Sequence, residues 1–103
     1  MRILVITGSA HKKGTSSCLA DAFIKGAEEA GHVVCRFDAA FKNVHPCIGC
    51  DSCRKNERVC VFKDDMQELN PELLKAEAVV FVSPIYYYDI NAQIKAVIDR
   101  LCK

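Results

Sequence analysis

Three stretches of the 103-residue chain are apolar with a period too short for a helix. Residues 2 to 7 (RILVIT) run almost unbroken through Ile3, Leu4, Val5 and Ile6 and stop at Gly8-Ser9. That is the pattern of a strand buried on both faces of a parallel sheet. In residues 33 to 38, Val33, Cys35 and Phe37 alternate with Val34, Arg36 and Asp38, as in a strand nearer an edge. Residues 78 to 83 (AVVFVS) are continuously apolar again. Between these runs the spacing turns helical. After a loop ending near Ser17, Leu19, Phe23, Ala27 and Ala30 recur at steps of three and four. Thr15, Ser16 or Ser17 is expected to cap this helix, and Gly31 to stop it. Asp64-Asp65 opens a helix through Met66 and Leu69. Pro71 interrupts its pattern, so Asn70 is expected to cap a second short helix with Leu73 and Leu74 facing inward. After a loop from Pro84 to Ile90, a last helix carries Ile94, Val97, Ile98 and Leu101 on one side.

The order strand, helix, strand, insert, helix, strand, helix predicts an α/β fold: a parallel sheet with helices on both faces. If the third strand pairs with the first on the side away from the second, the order is 2-1-3. Ligands then bind at the switch point above the carboxyl ends of strands one and three. Residues 1–103 read as one domain, with a cysteine-rich insert at about 39–63. A chain of this length buries roughly 65% of its unfolded surface.

Composition narrows the function. Half the residues are hydrophobic and 26% charged, an ordinary globular balance. A formal net charge of +1 creates no field for nucleic acid or an anionic membrane. The N-terminal apolar run is too short for a signal-peptide core, and no segment is long enough to span a bilayer. The expected location is cytoplasmic, where thiols stay reduced. Seven cysteines there favour metal, cluster or redox roles over a disulfide framework.

Two loops at the expected carboxyl edge are not plain connectors. Gly8 to Ser17 (GSAHKKGTSS) holds small, hydroxyl and basic residues and leads into a helix N-terminus. Backbone N–H groups, the hydroxyls of Ser9, Thr15, Ser16 and Ser17 and the cations His11, Lys12 and Lys13 suit a phosphate. The loop has neither the lysine-hydroxyl pair of a P-loop nor G-x-G-x-x-G; a capped helix after a polar loop is the plainer alternative. In Ser83-Pro84-Ile85-Tyr86-Tyr87-Tyr88-Asp89, three successive tyrosines beside a stiffening proline suit a flat heteroaromatic ring. One tyrosine packing back onto the core is the structural alternative. A phosphate cradle after strand one and a planar-ring loop after strand three describe a flavin mononucleotide (FMN) site.

With these residues in view, the chain resembles a known family. Gly8-Ser9 with Gly14-Thr15-Ser16, then Cys47-Ile48-Gly49-Cys50, then Lys63-Asp64-Asp65-Met66, then Ser83 to Tyr88, then Gln93 to Arg100 follow the order of flavodoxin-like NADPH-dependent FMN reductases. The cysteine insert resembles that of the iron-sulfur flavoproteins. The resemblance implies that Ser9, His11, Gly14, Thr15, Ser16 and Ser17 surround the FMN phosphate. It implies that Pro84, Ile85, Tyr86, Tyr87 and Tyr88 line the ribityl chain and ring. Electrons would pass from NAD(P)H through the flavin to a small acceptor, a redox protein or a cluster. No side chain needs to act as acid or base, so none is named catalytic. Ala10-His11 replaces the family's usual Pro-Arg and Thr15 its frequent Asn. That trades a fixed bidentate charge for a partly protonated imidazole and predicts weaker FMN binding. Relatives continue through two more strands, so the chain corresponds to an N-terminal portion truncated to about three strands. An unpaired third-strand edge predicts a homo-oligomer or another covering chain. A non-enzymatic half-domain and a cofactor-free module stay open beside the oxidoreductase.

Cys47, Cys50, Cys53 and Cys60 form C-x2-C-x2-C-x6-C. The compact spacing suits a [4Fe-4S] cluster better than tetrahedral zinc, which usually draws on two separated pairs. Cluster, zinc and unligated thiols all stay open. His45 is a further candidate ligand or a solvated loop residue. Cys18 and Cys35 read as small buried hydrophobes and Cys102 as a free thiol.

Overall fold

The computed structural model describes residues 1–11, 13–50, 62–86 and 89–101; for Tyr86 it describes the backbone alone. β1 (Arg2–Thr7) is the middle of a three-stranded parallel sheet, with β2 (Val33–Asp38) on one side and β3 (Ala78–Val82) on the other. The pairing is in register along its whole length, from Arg2 opposite Val33 to Thr7 opposite Asp38, and from Ile3 opposite Ala78 to Thr7 opposite Val82. The order is 2-1-3, as the alternation of elements implies.

β1 is buried on both faces because each face meets a helix layer. Ile3 and Val5 point to α1 (Thr15–Glu29), where they meet Ala20, Ile24 and Ala27. Leu4 and Ile6 point the other way, into a cluster with Phe37, Ala39, Met66, Leu69 and Val97. Met66 and Leu69 belong to α2 (Met66–Lys75) and Val97 to α3 (Ala92–Asp99). A single 3-10 turn, Ala39–Phe41, follows β2 and closes this second core. The period of two along β1 thus distributes its side chains between two cores.

Four local expectations change. α1 turns Ser17, Ala20, Ile24 and Ala27 toward the sheet, leaving Leu19 and Phe23 at 63% and 39% exposure. Steps of three and four fit both stripes, and the small Ala20 lets the helix lie close to the strands. Cys18, one position before Leu19, is also exposed rather than buried, and Cys35 is half-buried. The N-cap of α1 is Gly14, which offers no side-chain cap. Finally, α2 runs unbroken through Pro71, and of its two expected inward leucines Leu73 packs on the core while Leu74 is 87% exposed. The bond that proline removes would have gone to the carbonyl of Gln67, and both residues lie on the exposed side, so that carbonyl is not shut away from solvent.

β3 alternates: Val79 and Phe81 are 37% and 42% exposed while Val82 is buried. The strand has one partner among the described residues, so its apolar run is only half covered. The expected loop from Pro84 to Ile90 contains a small antiparallel hairpin, β4 (Ile85–Tyr86) and β5 (Asp89–Ile90). No described helix is long and apolar enough to cross a membrane.

Gly31 ends α1 as its position promised. Its φ is +90°, its N–H donates to the Glu28 carbonyl at 3.0 Å, and the His32 N–H reaches back to Ala27 at 3.1 Å. This is the paired arrangement in which a left-handed residue satisfies the last carbonyls of a helix. Gly31→Ala is expected to lower stability by about 1 kcal/mol. The check is the urea midpoint at unchanged slope. An unaltered midpoint would remove this cap from the account.

Candidate functional site

The carboxyl ends of β1 and β3 lie side by side, and the two loops leaving them are bonded together. The Gly8 N–H donates to the Val82 carbonyl at 2.9 Å, extending the strand pairing by one residue. Beyond that bond the chain curls. The Ser9 hydroxyl accepts from the His11 N–H at 3.1 Å, and the His11 carbonyl accepts from the Gly14 N–H at 3.1 Å and the Ser17 hydroxyl at 2.9 Å. Ser9 and Ser17 are buried in this curl, and Thr15 and the His11 side chain are exposed.

The result is a helix N-terminus without a side-chain cap. The first N–H groups of a helix have no partner within it and carry partial positive charge. Elsewhere a Ser, Asp or Asn side chain would accept from them. Gly14 has none, and Ser17 spends its hydroxyl on the His11 carbonyl. A Cβ on Gly14 would stand 3.1 Å from the His11 Cβ and 3.4 Å from its carbonyl oxygen, so the curl is closed around a missing side chain. Thr15 and Ser16 add hydroxyls at the opening. This donor set fits the phosphate of FMN.

Across the gap, the Ser83 hydroxyl donates to the Pro84 carbonyl at 2.7 Å and accepts from the Asn91 N–H at 3.0 Å. Pro84 is half-buried and Ile85 is 79% exposed. The Tyr86 backbone lies in the hairpin; Tyr87 and Tyr88 lie outside the described residues. Sequence reasoning passed over Asn91, which is 1% exposed and touches both loops. A polar residue just before a helical pattern is the N-cap signal that would have found it.

The cysteine insert is described at its two ends. Cys47 and Cys50 have exposed thiols, and Cys53 and Cys60 lie outside the described residues. Gly49, at φ +70°, directs its N–H to the Cys47 sulfur at 3.4 Å. Backbone N–H bonds to cysteine sulfur stabilise thiolate charge and accompany iron-sulfur ligation. Among the described residues, no three His, Cys, Asp or Glu side chains gather around one point.

Where the insert meets the core there is a buried ion pair. The Arg100 guanidinium donates to Asp64 Oδ2 at 2.7 Å, to Asp64 Oδ1 at 3.1 Å and to the His45 carbonyl at 2.7 Å. The two side chains are 1% and 5% exposed. Asp64 also accepts from the backbone N–H groups of His45 at 2.8 Å and Met66 at 3.1 Å. The His45 ring stacks on Phe62 with centroids 3.9 Å apart, and Arg100 lies over the same ring at 5.2 Å. His45 is an exposed loop residue, as one reading of the sequence had it, and it is also tied into a stacked, hydrogen-bonded knot. Arg100, three positions after Val97 on the apolar side of α3, was the available signal: a charge on a buried stripe needs a buried partner.

The whole chain, residues 1–103, matches the model of the NADPH-dependent FMN reductase family. The chain belongs to this family. Among curated relatives, two iron-sulfur flavoproteins of Archaeoglobus fulgidus are 38% and 41% identical over 98% and 95% of the chain, covering 46% and 49% of their own lengths. An iron-sulfur flavoprotein of Methanosarcina thermophila is 31% identical over 97% of the chain and 52% of its own. The chain thus spans about half the length of these relatives. Among solved structures, an NAD(P)H:quinone oxidoreductase from Methanothermobacter marburgensis superposes with a TM-score of 0.78 at 23% identity, over 98% of the chain and 52% of that protein. The fold is flavodoxin-like, with β2-β1-β3 as its described sheet.

Burial alone pushes the Asp64 carboxyl up, but the bonds from Arg100, His45 and Met66 and the Arg100 charge outweigh it and hold the pKa at about 2, against an ordinary 3.8. A lowered folded-state pKa adds stability that is complete above the unfolded value and is lost as pH falls through the folded one. The window is therefore from about pH 4 down to about 2, and the contribution is of order 2 kcal/mol. Urea unfolding between pH 5 and pH 2 is expected to show this loss in the wild type and less of it in Asp64→Asn. Equal pH slopes in the two proteins would contradict the assignment.

Proposed function

We propose that this chain binds FMN at the carboxyl edge of its sheet and serves as the flavin-binding part of an NAD(P)H-dependent oxidoreductase. The observation that carries the reading is the uncapped N-terminus of α1, ringed by hydroxyls at the point where β1 and β3 diverge. When bound, FMN supplies the redox chemistry between a nicotinamide nucleotide and an acceptor, and the protein supplies position and electrostatics. The N–H groups opening α1, with Thr15, Ser16 and Ser9, donate to the phosphate, while His11 adds charge when protonated. Gly14 leaves the room and Ser17 holds the curl. Pro84, Ile85 and the tyrosines Tyr86, Tyr87 and Tyr88 form the wall for the ring. The electron acceptor is a small molecule or a redox protein, and the setting is cytoplasmic.

The iron-sulfur names of the relatives and the N–H bond to Cys47 support a cluster on Cys47, Cys50, Cys53 and Cys60. Protein prepared without oxygen is expected to quench FMN fluorescence saturably. Its visible spectrum should show flavin bands, with a broad shoulder and matching iron and acid-labile sulfide if the cluster is present. A colourless chain that leaves added FMN unquenched sinks the flavin reading, and absence of iron and sulfide sinks the cluster.

A second reading rests on a separate observation. Leu19 and Phe23 from α1 and Val80, Phe81 and Val82 from β3 line an apolar groove of about 340 Å³ that ends at Ser83. It runs beside the edge of β3 that has no partner among the described residues. Exposed parallel-sheet edges of this kind associate with further strands. The chain is therefore expected to self-associate, and Phe81→Lys to reduce that association. Size-exclusion chromatography across a hundredfold range of concentration reads the outcome; a monomer throughout would rule out completion by a second copy.

A further inference from the structure

Asn91 is almost wholly buried at the junction of three elements. Its side-chain amide donates through Nδ2 to the Gly8 carbonyl, at the start of the phosphate curl. Its Oδ1 accepts from the Ile94 N–H at 3.2 Å, capping α3. Its backbone N–H donates to the Ser83 hydroxyl at 3.0 Å, and that hydroxyl donates to the Pro84 carbonyl at 2.7 Å at the start of the ring loop. One residue thus holds the first position of each loop and the first turn of the helix behind them. A Cβ on Gly8 would overlap Asn91 Oδ1 and come within 2.7 Å of Ile94 Cγ1, so the approach of the curl to Asn91 is as close as backbone permits.

We infer that Asn91 is a positioning residue for the cofactor: it sets the spacing between the phosphate curl and the ring wall through Gly8 and Ser83, without touching FMN itself. The inference rests on the flavin-site reading. A rigid ligand that must satisfy a phosphate cradle at one end and a ring wall at the other binds best when those walls are already at the right separation. The sheet holds Gly8 through Val82, but beyond Gly8 and Ser83 no strand pairing among the described residues holds the loops together. Asn91 replaces it with a donor for one loop, a donor for the other and an acceptor for the helix. This division also says which substitution separates capping from bridging. Serine caps a helix as well as asparagine does, but it is too short to reach the Gly8 carbonyl and has no amide. Aspartate keeps both the length and the cap but cannot donate.

The experiment compares wild type, Asn91→Ser and Asn91→Asp in three measurements. These are the FMN dissociation constant by fluorescence quenching, the phosphorus NMR shift of bound FMN phosphate, and thermal unfolding without FMN. The inference expects Asn91→Ser to stay folded, with its cap retained and a melting temperature only several degrees lower, while FMN affinity falls about tenfold or more. The phosphate resonance should move, because the curl has lost its anchor. Asn91→Asp is expected to show the same loss of affinity despite its retained cap. Wild-type affinity and an unmoved phosphate signal in a folded Asn91→Ser would overturn it. So would a loss in Asn91→Ser that Asn91→Asp restores, since that would mean that the length of the side chain, and not its amide donor, matters. If the wild type itself fails to bind FMN, the flavin reading falls and takes this inference with it. That result is distinct from one in which the wild type and both variants bind FMN equally.

Discussion

Parallel strands point their carboxyl ends the same way, and the 2-1-3 order puts β1 between two of them. Both edges of β1 are therefore hydrogen-bonded and both faces covered, which leaves only its two ends to meet solvent, the candidate site lying at the carboxyl end. The chain leaving that end must at once find new partners for its backbone polar groups. It does so with side chains: the Ser9 and Ser17 hydroxyls close the curl, and Asn91 ties it to the neighbouring loop. The donors left at the start of α1 are the ones that this arrangement does not consume. The candidate cofactor site is thus a consequence of how a buried parallel strand has to end.

The opposite concern governs the cysteine insert. Its ends must be attached to a small core that has few contacts to offer, and they are attached by charge. Burying Asp64 and Arg100 carries a desolvation penalty that their attraction offsets only when the remaining hydrogen-bonding groups are also used. Here Asp64 accepts from two backbone N–H groups as well as the guanidinium, and Arg100 reaches the His45 carbonyl. Such a pair adds less to stability than to geometry: it permits one placement of residues 43 to 46 against residues 62 to 66. A second ionic network serves the far side of the sheet. Asp38, held below its ordinary range because bonds from Thr7 and Arg36 outweigh the effect of its burial, links the end of β1 to β2. Arg36 carries that link on to Asp21 of α1.

The apolar groove along β3 has the opposite character to these polar ties. Leu19, Phe23 and Phe81 lie open where a sheet of this class would continue, and the groove they line ends at Ser83, where the proposed ring wall begins. Whatever covers this edge also stands beside the proposed flavin. Association and cofactor binding are accordingly expected to depend on each other in this chain.

How much of this was legible in the residues depends on the range of the interaction. The strands, their 2-1-3 order, the Gly31 stop and the position of both loops followed from period and punctuation, because buried parallel strands and left-handed caps leave local marks. The same local marks were ambiguous for α1. Leu19, Phe23 and Ala27 fit a helical stripe as well as Ala20, Ile24 and Ala27, and only the approach of the helix to β1 chose the smaller residue. Pro71 looked like a boundary because nothing near it in the chain reveals that its missing bond faces water. Asn91 and the Asp64–Arg100 pair were beyond local reading: their partners lie 83 and 36 residues away. The sequence by itself determined the alternation of elements and the chemistry placed in each loop, since hydrophobic period and turn residues act over a few positions. The tertiary structure alone decided which polar groups are buried together, because a buried hydrogen bond is specified by the closure of distant segments and not by spacing along the chain.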